Sequence, residues 1–448
     1  MTKRQKMPDW FEGIAAEFLK PPYFLQAQFE AKSNGSNTAT AQATQDAPAR
    51  SFEPRSGYGQ REPSTDSLRH ASGDGISNDD DTPATVRQSR PAVRQVRPPA
   101  TRSGRTATAS GTSYPVVPAT VLERYPIDVN HREQLPDILR VVTDDEQRYA
   151  VKRTTISLPR VWFIHKMLRY AQKQGFTRYS KLLLTKKKSP GVVYDGNVYY
   201  ATEWIDGQPA NFASAEHVAQ TAYALAQFHE ATRGFTSEKF VPEDAFNLLE
   251  LTQQRNRDLR QLLYRAEAKK DKDEFDQLFV SLKSALQDDA AESLQLLQQG
   301  ECVAFLSHDK TNPGIGHLDV IPGNCLYAPD HNVHLIDFEL STFAPRVLDM
   351  GHLLRRSLQT NHWSGDIAYA CFLHFDTVKS IPKVEYRLVE ALLKFPYRAW
   401  RLAHTRYHFF KDPAQVDDLL AYADQEARRQ SFLKSFTDQV RSLSTGDD

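Results

Sequence analysis

Alternating apolar and polar positions near residue 140 predict two paired β-strands. The strands span residues 138–143 and 148–153, and an acidic turn at residues 144–146 separates them. Because successive side chains of a strand point to opposite faces, Lys152 lies on the face opposite to that of Val151. The lysine therefore has two interpretations, either a functional group on the inner face of a sheet or an ordinary surface lysine.

The spacing of apolar residues then changes to that of a helix. Ser157 begins a segment whose apolar side chains recur every three or four positions, and Gly175 ends it. The dipeptide Asp195-Gly196 between two apolar runs predicts a further β-hairpin. The order of these patterns predicts an α+β fold, with a small β-rich lobe followed by a larger helical lobe. Long helical patterns follow Gly207, at residues 246–268, 273–299, 384–395 and 400–410.

The first 118 residues have a different character. Residues 8–29 are aromatic and amphipathic, whereas residues 31–118 are rich in Ser, Thr, Pro and Arg and contain few large apolar side chains. Too little apolar surface is present there to offset the entropy of ordering the chain, so the pattern predicts disorder. The predicted organisation is a short amphipathic segment, a disordered linker, a β-rich lobe, a helical lobe and a polar tail, at residues 1–30, 31–118, 119–206, 207–430 and 431–448.

The disordered linker carries a basic run. Residues 82–122 contain six arginines and no acidic residue. The run is either an arm that binds a polyanion or a partner protein, or a solvated linker kept extended by its own charge; the second interpretation is favoured. Aromatic residues for stacking are not interleaved with the arginines, which argues against nucleic acid as a partner.

Composition narrows the class of protein. In 448 residues, 40% are hydrophobic and 25% are charged, which is typical of a globular protein with an additional disordered part. Lys and Arg together number 56, as do Asp and Glu, so the charge balance gives no reason to expect general nucleic-acid binding. No apolar stretch has the length or position of a membrane span or a signal peptide, and three cysteines without metal-like spacing predict a reducing, cytoplasmic compartment.

The clearest chemical signal is a pair of short motifs. Residues 317–324 read H-x-D-x-x-x-x-N, and an apolar strand soon afterwards ends in Ile336-Asp337-Phe338. Phosphoryl transfer needs a carboxylate to orient or deprotonate the acceptor hydroxyl, and metal ions to neutralise the phosphates. Asp319 and His317 are the candidate catalytic residues. Oxygen atoms of Asn324 and Asp337 are suitable ligands for Mg²⁺, a hard cation.

Two further segments complete the predicted site. Lys152, on the second of the first two strands, is the candidate for pairing with the nucleotide phosphates. The segment from Glu203 to Ile205 lies between the lobes, where backbone groups could bind adenine. Asp349 is expected to brace the catalytic loop rather than to react.

These motifs resemble the aminoglycoside phosphotransferase/choline kinase superfamily, and within it the spore coat CotS-type kinase-like proteins of endospore-forming bacteria. The second likeness depends on T-E-W-I-D-G at residues 202–207 and K-F-P-Y-R-A-W-R-L at residues 394–402. The resemblance spans about residues 119–425. It implies a bilobal kinase-like fold, ATP and Mg²⁺ as cofactors, and a place in the mother cell or the coat during sporulation. Residues 1–118 lie outside the resemblance, and their amphipathic segment and linker are expected to form an arm that binds coat-protein partners.

Two departures from the kinase pattern leave the activity open. No glycine occurs between Leu122 and Gly175, so the loop expected around residues 127–134 lacks the glycines that let backbone N–H groups approach phosphates. The helix at residues 160–174 has no Glu or Asp to pair with Lys152, and His165 and Gln172 are its nearest polar candidates. The chain is therefore predicted to be either an ATP-dependent phosphotransferase acting on an unknown small-molecule or protein acceptor, or an inactive scaffold of the spore coat.

Overall fold

The computed structural model describes residues 117–135, 138–240, 247–309 and 314–443. The predicted amphipathic segment at residues 1–30, and all but the last two residues of the predicted linker, lie outside the described residues. The basic run up to residue 116 lies outside them as well.

An antiparallel sheet of six strands forms the smaller lobe, as the alternating patterns predicted. The strands are β1 (Val129–Gln134), β2 (Leu139–Thr143), β3 (Arg148–Thr154), β4 (Leu182–Leu183), β5 (Val192–Tyr194) and β6 (Asn197–Glu203). Their order in the sheet is β1-β2-β3-β6-β4, and β5 also pairs with β6. A short helix, α1 (Ala119–Leu122), precedes the sheet, and Val121 packs with Val141, Val151 and Ala201 in the core of this lobe.

The predicted second hairpin is confirmed. Asp195 and Gly196 join β5 to β6 with φ values of 48° and 70°, so both residues adopt the left-handed conformation that a two-residue hairpin turn requires. Glycine takes this conformation without steric cost, and aspartate is among the side chains that tolerate it best.

Helix α2 (Leu158–Lys173) crosses from the sheet to the helical lobe. Its predicted apolar face is buried, at Val161, Ile164, Leu168 and Ala171. Gly175, with φ of 94°, ends the helix, and the Phe176 N–H then donates to the Ala171 carbonyl. This helix also carries a side chain that supports the candidate active site.

The larger lobe consists mainly of helices. Each helix buries one face in a single extended core, which also encloses Phe338 and the strands around it. The helices are α3 (Ala215–Thr232), α4 (Leu248–Ala268), α5 (Glu274–Ser281), α6 (Lys283–Leu297), α7 (Gly300–Asp309), α8 (Val347–Thr360), α9 (Gly365–Val378), α10 (Lys383–Lys394), α11 (Tyr397–His408) and α12 (Ala414–Ser442).

Two helical predictions differ from the structure. The pattern at residues 273–299 forms two helices rather than one, and they meet at Leu282. Residues 431–442, predicted to belong to a polar tail, continue helix α12 and bury Leu433, Phe436 and Val440 against the core. None of the described helices is long and apolar enough to cross a membrane.

Short strands interrupt the helices and carry the predicted motifs. Strand β9 begins at Cys325, a buried residue, and pairs with both β7 and β10. The predicted motif H-x-D-x-x-x-x-N runs from the end of β8 to a 3₁₀ turn at Pro322–Asn324, and Asp337 follows the end of β10. The strands are β7 (Gln208–Pro209), β8 (Ile315–Gly316), β9 (Cys325–Tyr327), β10 (Val333–Leu335) and β11 (Thr342–Phe343).

Candidate active site

Lys152 joins the two lobes at the centre of the candidate site. Its side chain enters from β3, and its Nζ lies 3.0 Å from Asp337 Oδ1 and 2.5 Å from Glu339 Oε1. The residue is only 9% exposed, so it is not a surface lysine. The Nζ also lies 5.0 Å from the centroid of the Tyr200 ring, on the neighbouring strand β6. The two carboxylates therefore hold the ammonium group of Lys152 in one position.

Glu339 provides the acidic partner that the helix sequence lacked. Its carboxylate binds Lys152 and accepts a hydrogen bond of 2.8 Å from the Tyr200 hydroxyl. The expected position of this partner was helix α2, where His165 and Gln172 were the nearest polar candidates. The partner instead follows Phe338 by one position, in the segment Asp337-Phe338-Glu339.

Helix α2 contributes a basic side chain to the site rather than an acidic one. Arg160, in its first turn, donates from Nε and Nη2 to the backbone carbonyl of Glu339 at 3.4 Å, and from Nη2 to the carbonyl of Ser341. Burial lowers the pKa of Arg160 to about 9, although the charge of Glu339 opposes this shift. Arg160 thus fixes the backbone that carries Glu339, and sequence reasoning missed this role.

Asp319 and Asn324 form the second part of the site. The Asn324 amide Nδ2 donates to Asp319 Oδ2 at 2.5 Å and to the Asp319 carbonyl at 3.2 Å. Because the amide nitrogen faces Asp319, the amide oxygen is the Asn324 atom that can coordinate a cation. Both residues are buried, and the Ile336 N–H donates to the Asn324 carbonyl at 3.0 Å. This bond ties the catalytic loop to the strand that leads into Asp337.

His317 positions these two segments with its imidazole ring. Its Nε2 lies 3.0 Å from the Ile336 carbonyl, and its Nδ1 accepts from the Asp319 N–H at 3.3 Å. A carbonyl can only accept, so Nε2 is the nitrogen that donates here. Because both ring nitrogens bind backbone groups, the geometry favours a positioning role for His317 over the catalytic role that the sequence suggested.

Asp349 braces the loop, as the sequence analysis expected. Its Oδ2 and Oδ1 accept from the N–H groups of His317 and Leu318 at 2.7 and 2.8 Å, and Oδ2 lies 2.7 Å from His229 Nε2. Leu318 has a φ of 64°, a left-handed conformation that costs a bulky residue about 1–3 kcal/mol. The carboxylate of Asp349 supplies the hydrogen bonds that hold the loop in this strained form.

Because Asp349 braces the loop, the free energy of unfolding should decrease as the pH becomes acidic. Burial alone would raise the pKa of Asp349, but the bond and charge of His229, together with His317, hold the pKa below its usual value. The resulting stabilisation is present above the ordinary carboxyl pKa and is lost as the pH falls through the folded value. Asp349→Asn should therefore lower the free energy of unfolding by about 3 kcal/mol near pH 7.

Denaturant unfolding at pH 7 and at successive pH values from about 5 to about 2 measures this effect. The difference between wild type and Asp349→Asn should shrink as the pH falls below the ordinary carboxyl pKa, because the wild-type carboxylate then becomes protonated and loses its advantage. Asp424→Asn, a change at an exposed position on α12, is the matched control and should alter stability by less than about 0.5 kcal/mol. A difference that stays the same over the whole pH range would contradict the role given to the charge of Asp349.

The predicted adenine-binding segment lies at the end of β6. Glu203 is exposed there, and its carboxylate lies 3.7 Å from Lys181 Nζ. Its backbone N–H donates to the Lys181 carbonyl at 2.8 Å, and the Trp204 N–H donates to the Arg148 carbonyl at 2.9 Å. These two donors are engaged within the protein, so Ile205 is the better candidate of the predicted pair for a backbone contact with adenine.

The loop expected at residues 127–134 is largely a strand, β1. The turn between β1 and β2 is instead closed by a 2.9 Å bond from the Leu135 N–H to the Ile138 carbonyl. The side-chain amide of Gln134 donates to the Leu135 and Ile138 carbonyls, at 2.7 and 3.2 Å. Hydrogen bonds of the Gln134 side chain are thus found where the kinase pattern would have a glycine-rich loop.

The donor set fits a magnesium ion. Asn324 and Asp337 bring amide and carboxylate oxygens to one end of the β9–β10 pair, next to Asp319, and hard oxygen donors are the ligands that Mg²⁺ prefers. Asp337 has a φ of 64°, which turns its side chain away from the course of the strand at the point where it meets Lys152. The arrangement can hold a metal-bound phosphate between a buried lysine and a carboxylate base.

Comparison with known proteins agrees with this geometry. Residues 130–374, more than half of the chain, match the phosphotransferase enzyme family. The chain belongs to that family. The crystal structure of an aminoglycoside phosphotransferase from Alicyclobacillus acidocaldarius subsp. acidocaldarius DSM 446 is 48% identical to this phosphotransferase, with a TM-score of 0.71. The match covers 75% of this chain and 99% of that one.

Two more distant structures are also similar to this chain. A spectinomycin phosphotransferase bound to AMP is 14% identical, with a TM-score of 0.47 over 72% of this chain and 96% of that one. An ethanolamine kinase from Plasmodium vivax is 13% identical, with a TM-score of 0.45 over 72% of this chain and 86% of that one.

Proposed function

We propose that this phosphotransferase transfers the γ-phosphoryl group of ATP to a hydroxyl group of its acceptor. The observation that carries the proposal is the 3.0 Å contact between Lys152 Nζ and Asp337 Oδ1, two residues that lie 185 positions apart in the chain. A basic group for the phosphates and an acidic group for their metal thus meet in one cleft, beside a carboxylate base.

The proposed reaction assigns one task to each polar residue. The acceptor oxygen attacks the γ-phosphorus, the bond from that phosphorus to the β–γ bridging oxygen breaks, and ADP leaves. Asp319 orients the acceptor hydroxyl and takes its proton. Lys152 binds phosphate oxygens, and Asn324 and Asp337 would hold Mg²⁺. When bound, the metal neutralises the charge that develops on the phosphates.

The proposal extends to the cellular role. The segments T-E-W-I-D-G and K-F-P-Y-R-A-W-R-L support a protein of the spore coat CotS type, acting in the mother cell or the coat, with residues 1–118 as the arm that binds coat partners. A fluorescent fusion should then appear around the forespore in sporulating cells. Uniform fluorescence throughout the cell, in sporulating and non-sporulating cells alike, would contradict this role.

Calorimetric titration with Mg-ATP tests the catalytic proposal. Wild-type protein should bind Mg-ATP, whereas Lys152→Met should bind it about 10–100-fold more weakly, because a charge-assisted contact contributes about 1.5–3 kcal/mol. Lys166→Met, at an exposed position of α2, is the matched control and should bind normally. Failure of the wild-type protein to bind Mg-ATP would overturn the proposal and favour an inactive scaffold.

A further inference from the structure

Two histidines and an aspartate face one another where helices α4 and α11 pack together. His404 and His408 lie four residues apart on α11, so their side chains share one face of that helix, and Asp258 comes from α4. Each of the three residues offers one ligand atom, and these atoms all lie within 4.8 Å of one another. The three residues are called the histidine–aspartate cluster below.

The spacing of these atoms is close to that of a metal site. His404 Nδ1 lies 2.7 Å from Asp258 Oδ2, and His408 Nε2 lies 3.5 Å from Asp258 Oδ1. The centroids of the two imidazole rings are 4.6 Å apart. Ligand atoms of a tetrahedral zinc ion are about 3.3 Å from one another, because each lies about 2.0–2.1 Å from the metal. Small side-chain rotations would therefore bring the three atoms to the spacing that zinc requires.

Trp400 orients the carboxylate of the cluster. Its indole Nε1 donates to Asp258 Oδ2 at 2.7 Å, on the same oxygen that His404 contacts, whereas Asp258 Oδ1 faces His408. Hydrogen bonds to a ligating carboxylate fix its position in protein metal sites. The segment K-F-P-Y-R-A-W-R-L, for which no chemical role was predicted, supplies this tryptophan.

A metal ion can reach the cluster from solvent. The side chains of His408 and Asp258 are 38% and 18% exposed, whereas that of His404 is 11% exposed. The ring of Phe409 lies 5.7 Å from that of His404 and provides an apolar neighbour. The cluster is thus accessible on the side of His408, where a water molecule can complete a set of four ligands.

The charges around the cluster are compatible with a bound metal. His408 is the last residue of α11, and the carbonyl end of a helix favours a cation. Burial and the charge of His404 lower the pKa of His408; Arg265 acts in the same direction and Asp258 in the opposite one. The neutral ring that results is the form that binds metals. Arg265 would repel the ion, but it is exposed, so solvent screens its charge.

We propose that the histidine–aspartate cluster binds a zinc ion and thereby joins α4 to α11. Two imidazole nitrogens and one carboxylate oxygen are ligands typical of zinc sites that keep a fourth position for water. Magnesium, a hard cation, prefers oxygen ligands, so this cluster differs in chemistry from the proposed site at Asn324 and Asp337. The zinc site does not depend on the proposed function.

Calorimetric titration of the full chain, without a histidine tag, with zinc chloride is the first test. Magnesium chloride in excess occupies the oxygen site of the cleft. Wild-type protein should bind an equivalent of zinc at the cluster, and zinc should raise the melting temperature, because a ligand of the folded state stabilises it. Absence of zinc binding by the wild-type protein would overturn the inference.

Variants locate the zinc ion. His408→Ala should weaken the zinc affinity about tenfold or more, since loss of even a hydrogen-bond partner of a metal ligand costs about 10–100-fold. His131→Ala, at an exposed position on β1, is the matched control and should bind zinc as the wild type does. Asp258→Asn keeps the size of the side chain and can still accept from Trp400, so it gives a second measurement if His408→Ala does not fold. Equal zinc affinity in wild type and in both cluster variants would overturn the inference.

Asp337→Asn separates the zinc site from the catalytic cleft. This change removes a carboxylate of the proposed magnesium site, so it should weaken Mg-ATP binding and leave the zinc affinity unchanged. Zinc binding that is lost in Asp337→Asn but kept in His408→Ala would place the ion in the cleft and overturn the inference. Wild-type protein that binds zinc at the cluster but does not bind Mg-ATP would contradict the proposed function alone.

Discussion

Asp319→Asn is expected to lower the rate of phosphoryl transfer by about 10²–10⁴-fold, the usual contribution of a positioned general base. Asparagine has the shape of aspartate, so a contact with Asn324 Nδ2, now made to an amide oxygen, can persist. The loop should therefore keep its form, and the affinity for Mg-ATP should change by no more than about threefold. A loss of turnover without a loss of binding is the signature of a group that acts in the transition state.

Paired measurements of turnover and binding check this result. ADP release in the presence of an accepted substrate gives the rate, and calorimetry gives the affinity for Mg-ATP. Asp330→Asn, an exposed change at the β9–β10 turn, is the matched control and should retain the wild-type rate. Turnover within about threefold of wild type in Asp319→Asn would remove Asp319 from the role of base.

Local sequence patterns predicted most of the fold. The strands on either side of the turn at residues 144–146 and the hairpin at Asp195-Gly196 depend on period-two alternation and on turn chemistry, both of which are local. Leu282, where the long helical pattern divides, is neither glycine nor proline, so its residue type does not predict the break. Leu433, Phe436 and Val440 do have the spacing of one helix face, although this part of the chain was predicted to be a polar tail.

The site was harder to predict where it depended on distant pairs. The motifs identified Asp319, Asn324 and Asp337 because each lies in a short segment with fixed spacing. The partners of Lys152 could not be predicted in this way, since Glu339 meets the lysine only after the chain has passed through helices α2–α7. A sequence pattern reflects residues that are neighbours along the chain, whereas an ion pair between the lobes depends on the tertiary fold.

Glu339→Gln provides the sharpest test of that long-range pairing. Glutamine keeps the length of the side chain and can still accept from the Tyr200 hydroxyl, but it removes the charge that lies 2.5 Å from Lys152 Nζ. We expect turnover to fall about 10–100-fold, because a charge-assisted hydrogen bond that holds the lysine contributes about 1.5–3 kcal/mol. Tyr200→Phe, which removes one bond to the same carboxylate, should cause a smaller loss in the same direction.

A double-mutant cycle decides whether Glu339 acts through Lys152. In a Lys152→Met background, Glu339→Gln should cause little further loss of turnover, because the partner that it positions is already absent. Additive losses would show that Glu339 acts independently of the lysine. A rise in turnover in Glu339→Gln alone would reverse the interpretation, since the carboxylate would then hold Lys152 away from the nucleotide phosphates. The positioning role requires a large single effect of Glu339→Gln that disappears when Lys152 is removed.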